Sequence, residues 1–508
     1  MFPIGSVQNL EFILSSSSPK IAIVEDPKQL KKFSHLKSSI HTFVVFDPEA
    51  SLETPDEEGH SDTKLDEALV ESIDGDVVLY SDLISFGRSA LAEDRSPISK
   101  IRRKTSRDDI ACIMYTSGTS GNKKGVVISH ANIMTQLSAL EKFEIFKEGQ
   151  THLLSLPLAH IFAKVLLWLA VKNGTETIVG RGIGSLVADA LEVHPEIIGL
   201  VPSLVENFES GIRKDFSKFG SLRLKILNTL WGAQRGGADL FNSPTFDPVG
   251  TWKKKISAQV GRASIQRVLG DSISTFITGG AEVAPESIGF FNKIGINITQ
   301  LYGLTETTGI VSVSKNDVHS AGEVIDCCDI ALNDNGEIYV RGPMVSAGYF
   351  DVGNIIALVN EEGWLATGDI GEFDAQGRIK VLGRLGDTIV TSGGRKIEPH
   401  HFELALENYP EIERAFLCGH KKPYAVALIQ ASEGVGIERV LELVENVNAE
   451  VATTDTIREV RLIEVPFSAE RGELSESGRF HRDAIMRSRA AILSSMYEKK
   501  KHRRLISP

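Results

Sequence analysis

Apolar positions recur along the chain with two different periods, which predicts a mixture of strands and helices. Residues 336–342 (GEIYVRG) and 378–382 (RIKVL) alternate apolar and polar positions, as half-buried strands do. Further on, Pro399 precedes Phe402 and Leu406, which are four residues apart as on one helix face. Strand-like runs alternate with helical segments along the chain. The pattern therefore predicts an α/β protein with layered helices and sheets.

Turn-rich segments and chain length indicate more than one domain. Residues 50–64 are acidic and predict a surface loop, and residues 231–255 contain six glycines and prolines and predict a connection. At 508 residues the chain exceeds what one hydrophobic core organises, so two to four subdomains are expected. A compact unit restarts at Gly386, where an unbranched backbone can swivel. We divide the chain into a large domain, 1–383, and a smaller mobile α+β domain, 384–508.

Charge and cysteine content limit the possible partners. The net charge of −12 argues against general affinity for nucleic acid. The four cysteines lack CxxC spacing and are too few for a disulfide framework, so incidental thiols in a reducing compartment are the simplest interpretation.

The chain shows no pattern that predicts export or a membrane span. The N-terminal segment has no basic region followed by an apolar core, and the longest apolar run, 165–171, is far shorter than a membrane span. A cytoplasmic protein is expected, one that at most touches a membrane from outside. Residues 499–504 (KKKHRR) form a basic cluster. A solvated tail is the default interpretation, and contact with anionic lipid or an acidic partner is the alternative.

The segment with the clearest chemistry is residues 113–125 (IMYTSGTSGNKKG), where an apolar strand enters a loop rich in glycine and hydroxyl groups. Glycines let backbone N–H groups converge on an anion, and a lysine suits phosphate. The Gly-Lys-Ser/Thr ending of a Walker A loop is absent, and residues 180–184 are only a weak dinucleotide fingerprint. From the residues alone, a glycine-rich surface turn stays open beside a phosphate-binding loop.

This segment resembles the phosphate loop of adenylate-forming enzymes, which include acyl-CoA synthetases, luciferases and peptide-synthetase adenylation domains. One departure is Lys123, where the family usually has Pro. The likeness implies that ATP is bound by Thr116, Ser117, Gly118, Thr119, Ser120, Gly121 and Lys124.

Two further segments resemble those that line the acyl pocket of long-chain fatty acid:CoA ligases. In residues 156–162 (LPLAHIF) the histidine that would border the pocket is His160, and residues 198–202 (IGLVP) supply Gly199. The likeness adds Gly303 and Leu304 to this pocket. Taken alone, His160 is better explained as a hydrogen-bonded core histidine.

The nucleotide motifs of the family follow in the expected order. Residues 278–281 (TGGA) imply that Gly279, Gly280 and Ala281 approach the adenine. Residues 300–307 (QLYGLTET) are the most specific match and imply nucleotide contacts from Gln300, Tyr302, Gly303 and Thr305. Tyr302 would stack on the base, Thr305 would meet the α-phosphate, and Glu306 with Thr116 would hold Mg²⁺.

The remaining motifs belong to the ribose and to the mobile domain. Residues 363–369 (GWLATGD) end in Asp369, which resembles the acid that accepts both ribose hydroxyls, and Arg384 resembles a second ribose contact. Gly386 occupies the hinge position, often Asp or Lys in the family. Residues 392–399 resemble the loop used in the thioester step, which here contains Gly393, Gly394 and Arg395.

Two features depart from the family pattern. Residues 2–25 resemble a region well inside the family's N-terminal domain, so the leading elements are expected to be missing and a sheet edge to be open. In residues 474–482 (LSESGRFHR) the position of the catalytic Lys holds Arg479. With Thr116, Lys124 and Glu306 it completes the expected catalytic set, although arginine is longer and forked.

Together the motifs imply ATP- and Mg²⁺-dependent activation of a medium- or long-chain fatty acid through an acyl-adenylate, followed by thioester formation with coenzyme A. Two alternatives stay open. One is an acyl-acyl carrier protein ligase, for which the basic tail would suit an acidic carrier. The other is a degenerate homologue that binds ATP or acyl groups without turnover.

Restoring lysine is expected to speed adenylation. Arg479→Lys should raise the rate of fatty-acid-dependent pyrophosphate release by up to about a hundredfold, because a misplacement of about 1 Å in a catalytic group costs on that order. The rate is measured by a coupled pyrophosphate assay, with Arg487→Lys as the control. An unchanged or lower rate would contradict this interpretation of the motif.

Overall fold

A computed structural model describes residues 7–34, 36, 39–47, 65, 67–117, 123–217, 259, 261–317, 320–392, 396–397, 399–449, 456–474 and 480–497. Helices and sheets alternate through these residues, which confirms the predicted α/β class. The loop predicted at 50–64 and the connection predicted at 231–255 lie outside the described residues.

The largest sheet contains seven strands in the order β12-β11-β10-β9-β8-β6-β7. They are β6 (Thr151–Leu154), β7 (Glu176–Val179), β8 (Ile197–Leu200), β9 (Thr275–Gly279), β10 (Asn297–Tyr302), β11 (Ser312–Lys315) and β12 (Glu323–Val324). Strands β6 to β10 pair in parallel, and β8 is buried at all four positions, as a strand covered on both faces should be. The chain therefore leaves β8, β9 and β10 at one edge of the sheet.

Two antiparallel sheets of four strands lie beside it, in the orders β16-β15-β5-β4 and β13-β14-β17-β18. Their strands are β4 (Ile110–Ser117), β5 (Lys123–Ser129), β13 (Asp329–Leu332), β14 (Glu337–Arg341), β15 (Gly348–Asp351), β16 (Asn354–Ala357), β17 (Leu365–Phe373) and β18 (Ile379–Arg384). Strands β14 and β18 confirm the two strands expected from alternation. Strands β4 and β5 form a hairpin around the predicted phosphate loop, with Thr116 opposite Lys124.

A smaller parallel sheet, β1-β2-β3, precedes them. Its strands are β1 (Ile21–Val24), β2 (Thr42–Val45) and β3 (Asp76–Leu79). Within the described residues β1 is an edge strand, and its Ile21 and Ile23 are mostly exposed.

Helices cover these sheets and complete the smaller domain. Their bounds are α1 (Val7–Ser17), α2 (Pro27–Lys31), α3 (Glu67–Glu71), α4 (Tyr80–Glu93), α5 (Ser96–Lys104), α6 (His130–Ala139), α7 (Ile161–Asn173), α8 (Leu186–Val193), α9 (Pro202–Ser217), α10 (Pro285–Lys293), α11 (Pro399–Glu407), α12 (Ile437–Asn448), α13 (Arg482–Ser488) and α14 (Ala490–Tyr497). A further helix covers 261–269, and short 3-10 helices lie at Glu141–Phe143, Ile183–Ser185 and Thr305–Thr307. None of the helices in the described part of the chain combines the length and the apolarity that a membrane crossing requires.

The smaller domain is a sheet covered by helices on both faces. It contains the pair β19 (Ile389–Val390) and β20 (Lys396–Ile397) and the sheet β21 (Ile412–Cys418), β22 (Ala425–Ala431) and β23 (Ile457–Leu462). Along β22, Ala427 and Ile429 belong to the cluster around α11 and α12, whereas Val426 and Leu428 belong to the cluster around α13 and α14. This alternation is the two-residue period of a strand. Helix α11 begins at Pro399, as predicted.

A buried ionic cluster attaches α13 to the segment before it. Glu473 is fully buried and accepts hydrogen bonds from Arg489 Nε (2.7 Å) and Ser488 Oγ (2.7 Å). Burial alone would raise the pKa of Glu473, but the bonds from Arg489 and Ser488 outweigh it and lower the pKa to about 2. The carboxylate therefore stabilises the fold in its charged form.

Removing this charge should destabilise the protein most at neutral pH. Glu473→Gln is expected to lower the free energy of unfolding by about 3–5 kcal/mol at pH 7, because it leaves the Arg489 guanidinium buried without its counter-charge. The folded pKa of about 2 lies below the ordinary value of 4.5, so the wild-type contribution is complete above pH 4.5 and is lost as the pH falls towards 2. The gap between variant and wild type should narrow by about 1 kcal/mol at pH 4.

Urea titrations at pH 7 and pH 4 measure this gap. The exposed Glu470→Gln, on the same segment, is the control. A gap that is absent at pH 7, or equal at both pH values, would contradict the assignment.

Candidate active site

Neighbouring strand ends bring two of the predicted nucleotide motifs together. In the register of β9 and β10, Gly279 pairs with Leu301 and Thr278 pairs with Gln300. The segment with Gly280 and Ala281 therefore emerges beside the one that begins at Tyr302. Gly280 has φ +88°, a conformation that favours glycine. The Gln300 side chain spans the two segments, since its Oε1 accepts from the Val283 backbone N–H at 3.3 Å.

Two side chains from other strands meet at Asp369 of β17. The Tyr302 hydroxyl donates to Asp369 Oδ2 at 2.8 Å, and Arg384 Nε lies 2.9 Å from Oδ1. Asp369 is only 4% exposed, so the guanidinium and the hydroxyl supply the partners that a buried charge requires. Burial, followed by the charge of Asp369, holds the pKa of Tyr302 well above its ordinary value, so the phenol keeps its proton as the donor.

The turn that follows Tyr302 is packed backbone against backbone. A Cβ at Gly303 would lie 1.9 Å from the Gly309 carbonyl oxygen, so only glycine fits there. The Thr307 hydroxyl closes the turn by accepting from the Leu304 N–H at 3.0 Å. This packing fixes the part of the turn that presents Leu304, Thr305 and Glu306.

Glu306 and Lys124 are held by a residue that the sequence motifs did not identify, Tyr349 of β15. The Tyr349 hydroxyl donates to Glu306 Oε1 at 2.9 Å, and Lys124 Nζ lies 4.8 Å from the centre of the Tyr349 ring. Strand β15 pairs with β5, which places Tyr349 opposite Val126. The motifs missed Tyr349 because only this pairing of distant strands brings it to the phosphate hairpin.

The oxygen donors near this hairpin suit a magnesium ion that also binds substrate phosphates. They are too few for a metal site formed by protein side chains alone. Glu306 offers a carboxylate and Thr116 a hydroxyl, and the 3-10 helix with Glu306 contacts β5. Among the described residues no group of three His, Cys, Asp or Glu side chains could hold a metal ion. Magnesium commonly takes one or two protein carboxylates together with substrate phosphates and water, so the donor set fits that ion.

The acyl-pocket motifs lie next to the nucleotide strands. Gly199 on β8 is one strand away from Gly279, and a Cβ there would lie 2.8 Å from Leu166 Cδ1 of α7. Phe162, at the start of the same helix, lies close to Gly279. A Cβ on Gly279 would lie 3.2 Å from the Phe162 ring. The motifs therefore bring a close-packed apolar region against the candidate nucleotide site.

The interpretation of His160 as a core histidine is wrong. His160 is exposed and immediately precedes α7, so it is not a core histidine. The buried histidine is His152 on β6, which has no exposed surface and whose pKa burial lowers to about 4. Sequence gave no signal to separate them, because both histidines adjoin apolar runs.

Several predicted residues lie outside the described part of the chain. They are Gly118, Thr119, Ser120 and Gly121 of the phosphate loop, Gly393, Gly394 and Arg395 of the thioester loop, and Arg479. Gly386 is described: it lies in the turn after β18, next to Leu385, whose N–H donates to the Gly368 carbonyl at 2.8 Å.

Sequence comparison identifies relatives along most of the chain. The profile of AMP-binding enzymes matches residues 2–350, and that of the AMP-binding enzyme C-terminal domain matches residues 386–501. The long-chain-fatty-acid–CoA ligase FadD15 of Mycobacterium bovis is 26% identical over 426 residues, which cover 77% of this chain and 70% of that protein. The peroxisomal long chain acyl-CoA synthetase 6 of Arabidopsis thaliana is 27% identical over 468 residues, which cover 83% of this chain and 64% of that protein.

Solved structures share the fold at lower identity. The adenylation domain of a carboxylate reductase from Mycobacterium chelonae has a TM-score of 0.71 and 16% identity, covering 98% of this chain and 76% of that one. The O-succinylbenzoate coenzyme A synthetase from Bacillus subtilis, in complex with AMP, has a TM-score of 0.60 and 18% identity, covering 94% and 80%. With both profiles matched in order along the adenylate-forming fold, the chain belongs to the AMP-binding enzyme family.

Proposed function

We propose that this protein joins a medium- or long-chain fatty acid to coenzyme A. The carboxylate displaces pyrophosphate from ATP to form an acyl-adenylate, and the thiol then displaces AMP. The observation that carries the proposal is the meeting of Tyr302, Asp369 and Arg384 at the start of the turn whose 3-10 helix contacts β5. The named ligase activity of the relatives supports the choice of substrates.

The nucleoside is assigned to the Asp369 cluster. A carboxylate has about four acceptor positions, so Asp369 can serve Tyr302 and Arg384 and still accept from the two ribose hydroxyls. Because its hydroxyl is tied to Asp369, the Tyr302 ring is held in one orientation and can offer a face to the adenine. The strand end at 279–281 would lie along the edge of the base.

The phosphates are assigned to the hairpin of β4 and β5. Thr116 and Lys124 face one another across it, and Thr305 and Glu306 approach from the turn after β10. Bound Mg²⁺ would neutralise charge on the phosphates. The chain's own contribution is to align the carboxylate with the α-phosphate and to add the positive charge of Lys124 and Arg479.

The acyl chain is assigned to the apolar region around α7 and β8. Phe162, Gly199, Gly303 and Leu304 would line it, with His160 at its border. Leu166 packs tightly against Gly199, so a larger residue at position 199 would displace this wall.

The second step is assigned to a rotation of the domain 384–508 about Gly386. A Cβ at Gly386 would meet no atom within 4 Å, so packing does not require glycine there, and its unbranched backbone suits a hinge. The neighbouring Asp387 interacts with Arg384 at the end of β18 and with Arg482 and Glu403 further along the chain. The rotation would bring Gly393, Gly394 and Arg395 towards the thiol. We place the reaction in the cytoplasm, with residues 499–504 available for an anionic surface.

Pyrophosphate release tests the proposed activity. Purified protein with Mg-ATP should release pyrophosphate only when a fatty acid is added, and Glu306→Ala should lower the rate at least about a hundredfold, because one preorganised charge-stabilising group is worth that much. The exposed Glu361→Ala is the control. Thioester formed on coenzyme A, but not on acyl carrier protein, supports the ligase; the reverse preference favours the carrier-protein alternative. No fatty-acid-dependent release would contradict the enzyme assignment.

Asp369→Asn should weaken nucleotide binding while sparing the acyl side. The amide loses the charge that faces Arg384 and the ribose, so the KM for ATP is expected to rise about 10- to 100-fold, as for the loss of charged hydrogen bonds. The KM for fatty acid should stay within about twofold. Glu372→Gln, an exposed acid on the same strand, is the matched control. Equal rises in both KM values would instead indicate general damage to the site.

A further inference from the structure

Strand β15 brings an aromatic side chain between two charged groups of the candidate site. Tyr349 lies opposite Val126 in the pairing of β15 with β5, and Lys124 is two positions earlier on β5. Side chains two positions apart on a strand share a face. Tyr349 therefore lies on the face of the hairpin that carries Lys124.

The Tyr349 hydroxyl orients one end of the Glu306 carboxylate. It donates to Oε1 at 2.9 Å, which leaves Oε2 as the oxygen for another ligand. A tyrosine hydroxyl keeps its proton at physiological pH and an ionised carboxylate can only accept, so Tyr349 is the donor in this bond.

The ring of the same residue contacts the phosphate-loop lysine. Lys124 Nζ is 4.8 Å from the ring centre, within the range of a cation–π interaction. Tyr349 thus holds a cation through its ring and an anion through its hydroxyl.

The backbone around β15 makes this arrangement rigid. Ser346 N–H donates to the Glu306 carbonyl at 2.8 Å, and Ser346 Oγ donates to the Val127 carbonyl at 2.5 Å. Thr308 Oγ1 donates to the Met344 carbonyl at 2.7 Å. The segment before β15 therefore fastens the turn that contains Glu306 to the strand that contains Lys124.

We propose that Tyr349 is a positioning residue that orients Glu306 for the metal ion and Lys124 for the phosphates. The inference rests on the proposed function, because it assigns those two groups to Mg-ATP. The Tyr349 hydroxyl contacts the Glu306 carboxylate and the Tyr349 ring contacts Lys124. Substitutions can therefore separate the two roles.

The test is the Mg²⁺ dependence of nucleotide binding, measured by calorimetry with α,β-methylene-ATP, which cannot react. Tyr349→Phe retains the ring and loses the hydroxyl. It should raise the Mg²⁺ concentration needed for half-maximal binding about tenfold, as expected for one hydrogen bond to a charged group, while binding at saturating Mg²⁺ stays near wild type. Tyr349→Leu loses the ring as well and should also weaken binding at saturating Mg²⁺ several-fold.

Controls separate positioning from packing. Tyr409→Phe, in the smaller domain, should leave the Mg²⁺ dependence unchanged. In a Glu306→Gln background, Tyr349→Phe should add no further shift, because the coupled partner is already altered.

Two outcomes would overturn the inference while leaving the proposed function standing. One is wild-type Mg²⁺ dependence in Tyr349→Phe, and the other is a loss of binding in that variant that is equal at every Mg²⁺ concentration, which indicates packing alone. If the wild-type protein binds no nucleotide at any Mg²⁺ concentration, the proposed function fails and this inference fails with it.

Discussion

A buried carboxylate cannot stay charged without partners, and Asp369 obtains one partner from the next strand, β18, and the other from β10, which lies much earlier in the chain. The Tyr302 hydroxyl donates to one of its oxygens, and the Arg384 guanidinium lies beside the other. The end of β10 must therefore meet β17 and β18, although these elements belong to different sheets. Removing any one of the three side chains would leave a partner with an unpaired charge or an unpaired donor, which is costly in a buried position. The position of the candidate nucleotide site follows from this requirement.

The turn that presents Glu306 to the candidate phosphate site is held by close backbone contacts. Gly303 and Gly309 approach so closely that no side chain fits between them, and Ser346 ties the same turn to β5. These contacts hold the turn that contains Glu306 near the hairpin of β4 and β5. A preorganised site of this kind loses little energy to rearrangement when charge develops.

Local sequence was enough to predict much of this fold. Period-two alternation identified β14 and β18, Pro399 identified the start of α11, and the glycine-rich segment identified the hairpin of β4 and β5. These features depend on residues close together in the chain. Contacts across strand pairings could not be predicted in this way. Which strands become neighbours decides three features of the site, and a single sequence does not reveal those neighbours. The features are the bond from Tyr302 to Asp369, the position of Tyr349, and the burial of His152 in place of His160.

The central claim is that one site holds the adenylate of a fatty acid against Tyr302 and Asp369. Isothermal titration calorimetry with a fatty acyl-sulfamoyladenosine, a stable mimic of the acyl-adenylate, tests it most directly. The account predicts saturable binding to a single site, tighter than AMP and abolished by excess AMP. A folded protein that gives no heat of binding with this mimic would contradict the account.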